Sequence, residues 1–325
     1  ILTDISGFQE LSGHIGGINI SNNLSLNAIP YFSKIILIDT PADFTNTPSL
    51  NLPNYPTRIG TKIVNKTPLI SLTGGTFTSN TDNGGLDKYS NCNIITSTLI
   101  ITGNIDFTVF DNLQEINGGL IIHDGVTLIE HIVGFNNLTK IKGLLHILNN
   151  NNLKDISGFQ KLNYVYDNDI AGNEGIKISY NKLLNYIPEF NNLTHIGGLG
   201  LEITNNSIEN IRGFNNLTKV HTISISDGSN NPIDGYNHLT TIDGFKNLTT
   251  IVADLIIRNS YILTDISGFQ ELSGNIGRIT ISNHLSLNAI PYFSKIKYIV
   301  TAADFRNTPE LYNFPTTIGG KTVLK

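Results

Sequence analysis

Several absences bound this chain before any motif is read. Its 325 residues contain no Met and no Trp, and Cys92 is the single cysteine. The missing Met leads us to expect that Ile1 is not a translational start. Without Trp the usual platform for gripping sugars is gone. One thiol excludes an intrachain disulfide within these residues and a zinc site built from several thiolates. Charged residues make up only 14% of the chain, against roughly 25% in ordinary domains. The formal net charge is −5 with no long Lys/Arg run, which argues against electrostatic nucleic-acid binding. No apolar stretch reaches the ~18 residues of a membrane-spanning helix.

The polar surface is instead supplied by Asn, Ser and Thr, with 43 Asn alone, and hydrophobic residues at 39% are enough for a sizeable core. An ordinary globular chain of this length would form about two domains, whereas a repeat array would form one elongated body.

Repetition is the dominant signal, at two scales. The short repeat is carried by Gly134-Phe135-Asn136-Asn137-Leu138, Gly158-Phe159-Gln160-Lys161-Leu162, Gly213-Phe214-Asn215-Asn216-Leu217 and Gly244-Phe245-Lys246-Asn247-Leu248. Phe8, Phe110, Phe190 and Phe269 head similar segments, and Phe32 and Phe293 looser ones. Phe135 to Phe159, Phe190 to Phe214 and Phe245 to Phe269 are each 24 residues; Phe159 to Phe190 and Phe214 to Phe245 are 31. Within a unit, Leu199, Leu201 and Ile203 alternate with Gly200, Glu202 and Thr204. Such alternation, bounded by Gly and Asn, predicts a strand with one buried face. An L-x-x-I element such as Leu153 and Ile156 follows each strand. No 3.6-residue period is sustained, so few helices are expected.

A 24-residue unit cannot bury its own apolar face, but stacked coils can. Asn suits the turns because its amide reaches neighbouring backbone and because it tolerates left-handed conformations. The expected fold is all-β: a right-handed parallel β-solenoid with strand-turn-strand coils of about 24 residues. Phe8, Phe110, Phe135, Phe159, Phe190, Phe214, Phe245 and Phe269 are its expected internal stack.

The long repeat makes residues 1–40 recur at 262–301 with 33 of 40 positions identical, an offset of 261. Both copies carry I-L-T-D-I-S-G-F-Q-E-L-S-G and S-L-N-A-I-P-Y-F-S-K-I. The chain is therefore either a window of a longer tandem array or a protein with a terminal duplication; the missing Met and the mid-coil start favour the window. The expected organisation is solenoid coils at 1–40, an irregular Pro/Thr/Gly/Asn-rich insertion or joint at 41–105, the main solenoid at 106–301, and the start of a second joint at 302–325.

At F-N-N-L-T-x-I-x-G-x-L-x-I-x-x-N-x-x-L-x-x-I-x-G-F the chain resembles the receptor L domain, the leucine-rich, β-helix-like ligand-binding domain of insulin- and epidermal-growth-factor-type receptors. Phe135 to Phe159, Phe190 to Phe214 and Phe245 to Phe269 carry the likeness, which covers residues 1–39 and about 106–300. It implies a right-handed solenoid, extracellular and often N-glycosylated. The family's cysteine-rich modules have no counterpart in these residues, so the likeness bears on fold and compartment and not on receptor activity.

Candidate chemistry is sparse. N-x-S/T sequons occur at Asn19, Asn23, Asn65, Asn137, Asn192, Asn205, Asn216 and Asn247, acceptors for glycans in a secreted chain. N-L-T is also part of the repeat consensus, so a purely structural role competes. Asp167, Asp169 and Glu174 in the first seven-residue insertion offer oxygen ligands for calcium, and Asp227 and Asp234 flank the second. Their spacing is not that of an EF-hand, and a solvated loop competes. His123 and His146 fall at different ladder positions, with no H-E-x-x-H motif. No nucleophile elbow, P-loop or dinucleotide fingerprint occurs, and Cys92 lacks a nearby His, so it is expected to be a small buried residue. Outward strand positions (Asn19, Ser21, Lys177, Ser179, Glu202, Thr204, Ser224, Ser226, Arg258, Thr280, Ser282) include a single acid, Glu202, and no acid pair of the glycosidase kind.

The expectation is therefore a non-enzymatic structural or adhesive protein without cofactor. It would be extracellular, on a cell or virion surface, and would self-associate into a fibre, filament or layer. A ligand-binding ectodomain for a protein or glycan is the competing reading, and a polysaccharide-active β-helix enzyme the third.

Overall fold

The computed structural model describes residues 4–20, 26, 32, 34–39, 42, 58–59, 62–63, 71–77, 86, 89–90, 92–123, 129–166, 175–228 and 238–325. The chain divides into two compact units, residues 1–71 with 91–93, and residues 72–90 with 94–325.

The larger unit is a parallel β-solenoid. One sheet joins nine strands, each hydrogen-bonded to its neighbour one coil away: Thr76–Phe77, Leu99–Ile101, Leu120–His123, Leu145–Leu148, Ile176–Asn181, Gly200–Asn206, Thr222–Ser226, Asp254–Arg258 and Arg278–Ser282. Parallel pairing requires a crossover between strands, and here the rest of each coil is that crossover. Register places like on like: Leu145, Ile176, Leu201, Ile223, Leu255 and Ile279 form one inward column. Ile147, Ile178, Ile203, Ile225, Ile257 and Ile281 form the next, and both are buried. The separation between paired residues varies from 21 (Leu99 to Leu120) to 32 (Ile223 to Leu255) without breaking either column.

Each coil has three sides rather than the two expected. A second parallel ladder runs through Ile94–Ile95, Glu115–Ile116, Lys140–Ile141, Tyr164–Val165 and His195–Ile196. The L-x-x-I elements make the third, with His131–Ile132 on Asp155–Ile156 and Asn210–Ile211 on Thr241–Ile242. Isolated parallel bridges extend it, Asp155 to Tyr186 and Thr241 to Asp265.

The phenylalanine stack is present as two runs inside the corners. Rings of Phe110, Phe135 and Phe159 lie 5.1 Å apart, and those of Phe190, Phe214, Phe245 and Phe269 are spaced 5.0–5.2 Å, all within 19° of parallel. Phe135, Phe159, Phe190, Phe214 and Phe245 adopt positive φ, from 47 to 67°, a region bulky residues seldom enter. Their full burial holds them there. The preceding glycine is set by close approach: a Cβ on Gly158 would lie 1.9 Å from the carbonyl oxygen of Gly134, one coil away.

Two expectations require correction. Residues 41–105 are not irregular throughout, because Thr76–Phe77 and Leu99–Ile101 already belong to the nine-stranded sheet. Their Thr/Gly-rich sequence hides the alternation, while Phe77 and Tyr89 supply buried edge-on ring contacts in place of the Phe stack. Phe8 is not part of a stack: it is 56% exposed, whereas its counterpart Phe269 is fully buried on Phe245.

In the smaller unit a 3-10 turn at Ser6–Phe8 leads to Gly13–Ile15, which pairs in parallel with Ile35–Ile38. Ile5, Leu26, Phe32, Ile35, Ile38 and Ala42 form its core. Arg58–Ile59 and Lys62–Ile63 make an antiparallel hairpin. Thr317–Ile318 and Lys321–Thr322 form a second antiparallel hairpin in the larger unit. Among the described residues no helix is long and apolar enough to cross a membrane.

Candidate functional site

Function in a solenoid is built from residues that recur at one corner, coil after coil. The corner after the long strand carries two rows of asparagine. Asn149, Asn205, Asn259, Asn283 and Asn307 take positive φ, from 54 to 62°, as the tolerance of Asn for that region predicts. Three positions after the inward Ile147, Ile178 and Ile203, the side chains of Asn150, Asn181 and Asn206 are buried. Asn150 Nδ2 donates to Asn181 Oδ1, and Asn181 Nδ2 to Asn206 Oδ1, both at 3.0 Å. The same amides also reach the backbone, Asn181 to the Ile147 carbonyl and Asn206 to that of Ile178. Ser260, His284 and Thr308 continue this buried polar row. An outer row follows, Asn307 Nδ2 to Asn283 Oδ1 and Asn283 Nδ2 to Asn259 Oδ1, each 2.8 Å.

His284 carries a conflict. Its two ring nitrogens face the carbonyls of Ser260 at 2.9 Å and Ile257 at 3.1 Å. A neutral imidazole donates through only one nitrogen. Burial nevertheless dominates and lowers its pKa, opposed by those two carbonyls.

The N-L-T sequons are structural in geometry. Nδ2 of Asn137, Asn192, Asn216 and Asn247 donates to the carbonyls of Asp111, Gln160, Asn191 and Asn215 one coil back, at 2.5–2.8 Å. The sequon hydroxyls of Thr139, Thr194 and Thr249 do the same to Gln114, Asn163 and Thr218. The motif thus bonds coils through the same nitrogen to which an N-linked glycan would attach. Asn205 differs: half-buried, its side chain makes no such bond among the described residues. Asn19 is exposed. Asn23 and Asn65 lie outside the described residues.

Asp167, Asp169, Glu174 and Asp234 also lie outside the described residues. Asp227 is buried, and its Oδ2 accepts from the backbone amides of His238 at 2.5 Å and Leu239 at 2.7 Å, across the base of the second insertion. Burial pushes its pKa up to about 7, with the two amides pulling the other way. Both amides are spent on fastening a loop base. No group of three His, Cys, Asp or Glu with metal-binding geometry occurs among the described residues. His123 and His146 sit at different ladder positions, facing Leu148 and Ile121 respectively. Cys92 is buried and is not in a disulfide.

The outer face of the long sheet is less open than expected. Ser179, Thr280 and Ser282 are buried. Lys177 Nζ meets Glu202 Oε2 at 3.1 Å, Ser179 Oγ donates to Glu202 Oε1, and Thr204 Oγ1 donates to Ser179 Oγ. A closed network of this kind satisfies its own charges. Sequence reading missed the outward Asp254, which pairs with Arg278 at 2.6 Å. It also missed a series of one-coil pairs including Lys142–Glu115, Lys154–Glu130 and His131–Asp155. Exposed pairs contribute little stability, but opposite signs placed one coil apart favour one register.

One groove of about 280 Å³ opens on the third side, lined by Tyr186, Pro188, Glu189, Glu209, Asn210 and Arg212 among others. It lies where Pro188-Glu189 replaces the Ser-Gly found at Ser157-Gly158. Set against known proteins, the chain matches no family model, no curated protein and no solved structure.

Proposed function

We propose that this chain is a non-enzymatic extracellular structural or adhesive repeat protein, on a cell or virion surface, whose coils stack end to end into a fibre, filament or surface layer. The observation that carries the reading is the passage from one long repeat into the next. Residue 262 begins the second copy, yet the Phe245–Phe269 ring stack at 5.2 Å and the pairing of Asp254–Arg258 with Arg278–Ser282 cross that boundary without a break. Successive long repeats therefore join by the same contacts that join successive coils. A heterologous joint that does not close generates a filament.

Electron microscopy of the native, unfractionated material tests this. Regular fibres or a lattice with an axial repeat are expected; dispersed short rods would overturn it. The groove at Tyr186–Arg212 favours the second reading, a ligand-binding ectodomain like the receptor L domain. An exposed aromatic ring beside carboxylates, an amide and a guanidinium suits a protein or glycan ligand. A monomer with saturable, stoichiometric binding would decide for it.

A further inference from the structure

The third side of the coils is bonded row by row, with one gap. The amides of Lys154, Asn185, Thr240 and Thr264 each donate to the carbonyl stacked one coil earlier, on Glu130, Lys154, Glu209 and Thr240, at 2.8–3.2 Å. Parallel pairing joins His131 to Asp155, Asp155 to Tyr186, Asn210 to Thr241 and Thr241 to Asp265. Among the described residues, neither an amide bond from Glu209 to Asn185 nor a pairing of Tyr186 with Asn210 is made. The same two coils stay closed elsewhere: Phe214 stacks on Phe190 at 5.1 Å, and Ile203 pairs with Ile178. Pro188 supplies the cause, since a proline has no N–H to give and holds the residue before it, Ile187, in an extended range. The groove of about 280 Å³ is this gap. The Glu209 amide and the Asn185 carbonyl therefore open to it without a backbone partner.

The side chains of the groove are unspent as well. Elsewhere on this side Lys154 pairs with Glu130 and His131 with Asp155. Glu209 and Arg212 both line the groove and make no ion pair among the described residues. Asp243 follows Arg212 in the same column one coil on, and its Oδ1 is buried without a hydrogen-bond partner among the described residues; the guanidinium lines the groove instead. The hydroxyls of Thr240 and Thr241 hold Asn210 Oδ1 at 3.2 and 2.6 Å, which leaves its Nδ2 hydrogens for the groove. Tyr186 stands 47% exposed in the wall.

We propose that this groove binds a short stretch of a neutral, hydroxyl-rich glycan. This rests on the ligand-binding reading above and narrows it to one ligand class. A sugar hydroxyl both donates and accepts, and the groove offers both roles. Arg212, Asn210 Nδ2 and the Glu209 amide donate; the Glu209 carboxylate and the Asn185 carbonyl accept. The C–H face of a sugar ring packs on an aromatic face, and in a chain without Trp the ring in place is Tyr186. Two carboxylates, Glu189 and Glu209, against one guanidinium disfavour an acidic sugar. A protein partner would need about 800 Å² of matching surface, whereas a groove of about 280 Å³ is of small-ligand size.

The test presents the full chain to arrays of neutral oligosaccharides (gluco-, manno- and galacto-configured), with uronate and sulfated oligosaccharides as the acidic set. Calorimetric titration with the strongest neutral binder follows. Saturable binding of neutral oligosaccharides at one site per chain is expected, with the acidic set bound more weakly. Tyr186→Ala and Glu209→Gln should each weaken that binding by about tenfold or more, because each removes a contact made only in the complex. Both side chains are exposed in the free chain, so the melting curves of the two variants should match the parent's. Tyr298→Ala, at an equally exposed tyrosine outside the groove, should bind as the parent does. No binding to any oligosaccharide, a preference for the acidic set, or a titration unchanged by both groove variants would overturn the proposal. A protein ligand released by Tyr186→Ala, with no glycan bound, would leave the ligand-binding reading standing and reject the glycan alone.

Discussion

Residues 1–40 and 262–301 differ at seven positions and share a 3-10 turn, a two-strand pairing and a Lys–Glu pair. Residues 262–281 are nevertheless packed against the preceding coil, while several of their counterparts among the described residues 4–20 are more exposed. Phe269 disappears under Phe245 while Phe8 stands in solvent. In a solenoid the burial of a residue is a property of the neighbouring coil and not of its own segment. Some of the substitutions touch this difference. Arg278 pairs with Asp254 on the preceding coil, and Gly17 stands in its place in the first copy. Lys297 and Tyr298 stand where the first copy exposes Ile36 and Leu37.

Paired substitutions at matching sites would sharpen or break that contrast. The largest effect is expected for Phe269→Ala, about 3–5 kcal/mol lost in denaturant unfolding, with a similar loss for Phe214→Ala. Phe8→Ala should fall within about 0.5 kcal/mol of the parent. Equal losses at positions 8 and 269 would mean that Phe8 is covered in solution, and an unchanged curve for Phe214→Ala would sink the ring stack. Next comes Gly268→Ala, whose methyl must displace backbone. It should cost about 1–3 kcal/mol, against little for Gly7→Ala, read as the difference in melting temperature. The smallest effect concerns His284, which stands where the first copy has Asn23. Burial lowers its folded pKa, so its neutral form is favoured in the native state. Its contribution is complete above about pH 6.5 and is lost as pH falls below that value. His284→Asn should remove this part of the acid-side fall in melting temperature between about pH 7.5 and 5. An identical fall in the variant would show that His284 does not titrate there.

Much of the fold was legible because stacking repeats each signal. Alternation in Leu199 to Thr204 marked the long strand, and the G-F-x-x-L spacing marked the corner. Asn at the turns announced both asparagine rows. The third side was harder to see, since two-residue ladders such as Lys140–Ile141 carry no periodicity of their own. Thr76–Phe77 escaped because its coil replaces Leu and Ile with Thr and Gly. Of the candidate site residues, the N-L-T asparagines were found for one reason and explained by another: the sequon and the coil-to-coil amide bond use the same nitrogen. The groove left no motif, only the exchange of Ser-Gly for Pro-Glu at 188–189.

The unequal coil lengths have a consequence for how such a protein changes over time. Paired strands are separated by anything from 21 to 32 residues while the inward columns stay aligned. The ladders count coils and ignore the length of chain between them. Insertions and deletions at the corners are therefore nearly neutral to the interior, and the scaffold can acquire, enlarge or discard surface loops one at a time. Variation is channelled outward by the architecture, and a lineage can explore new contacts without ever reopening the core.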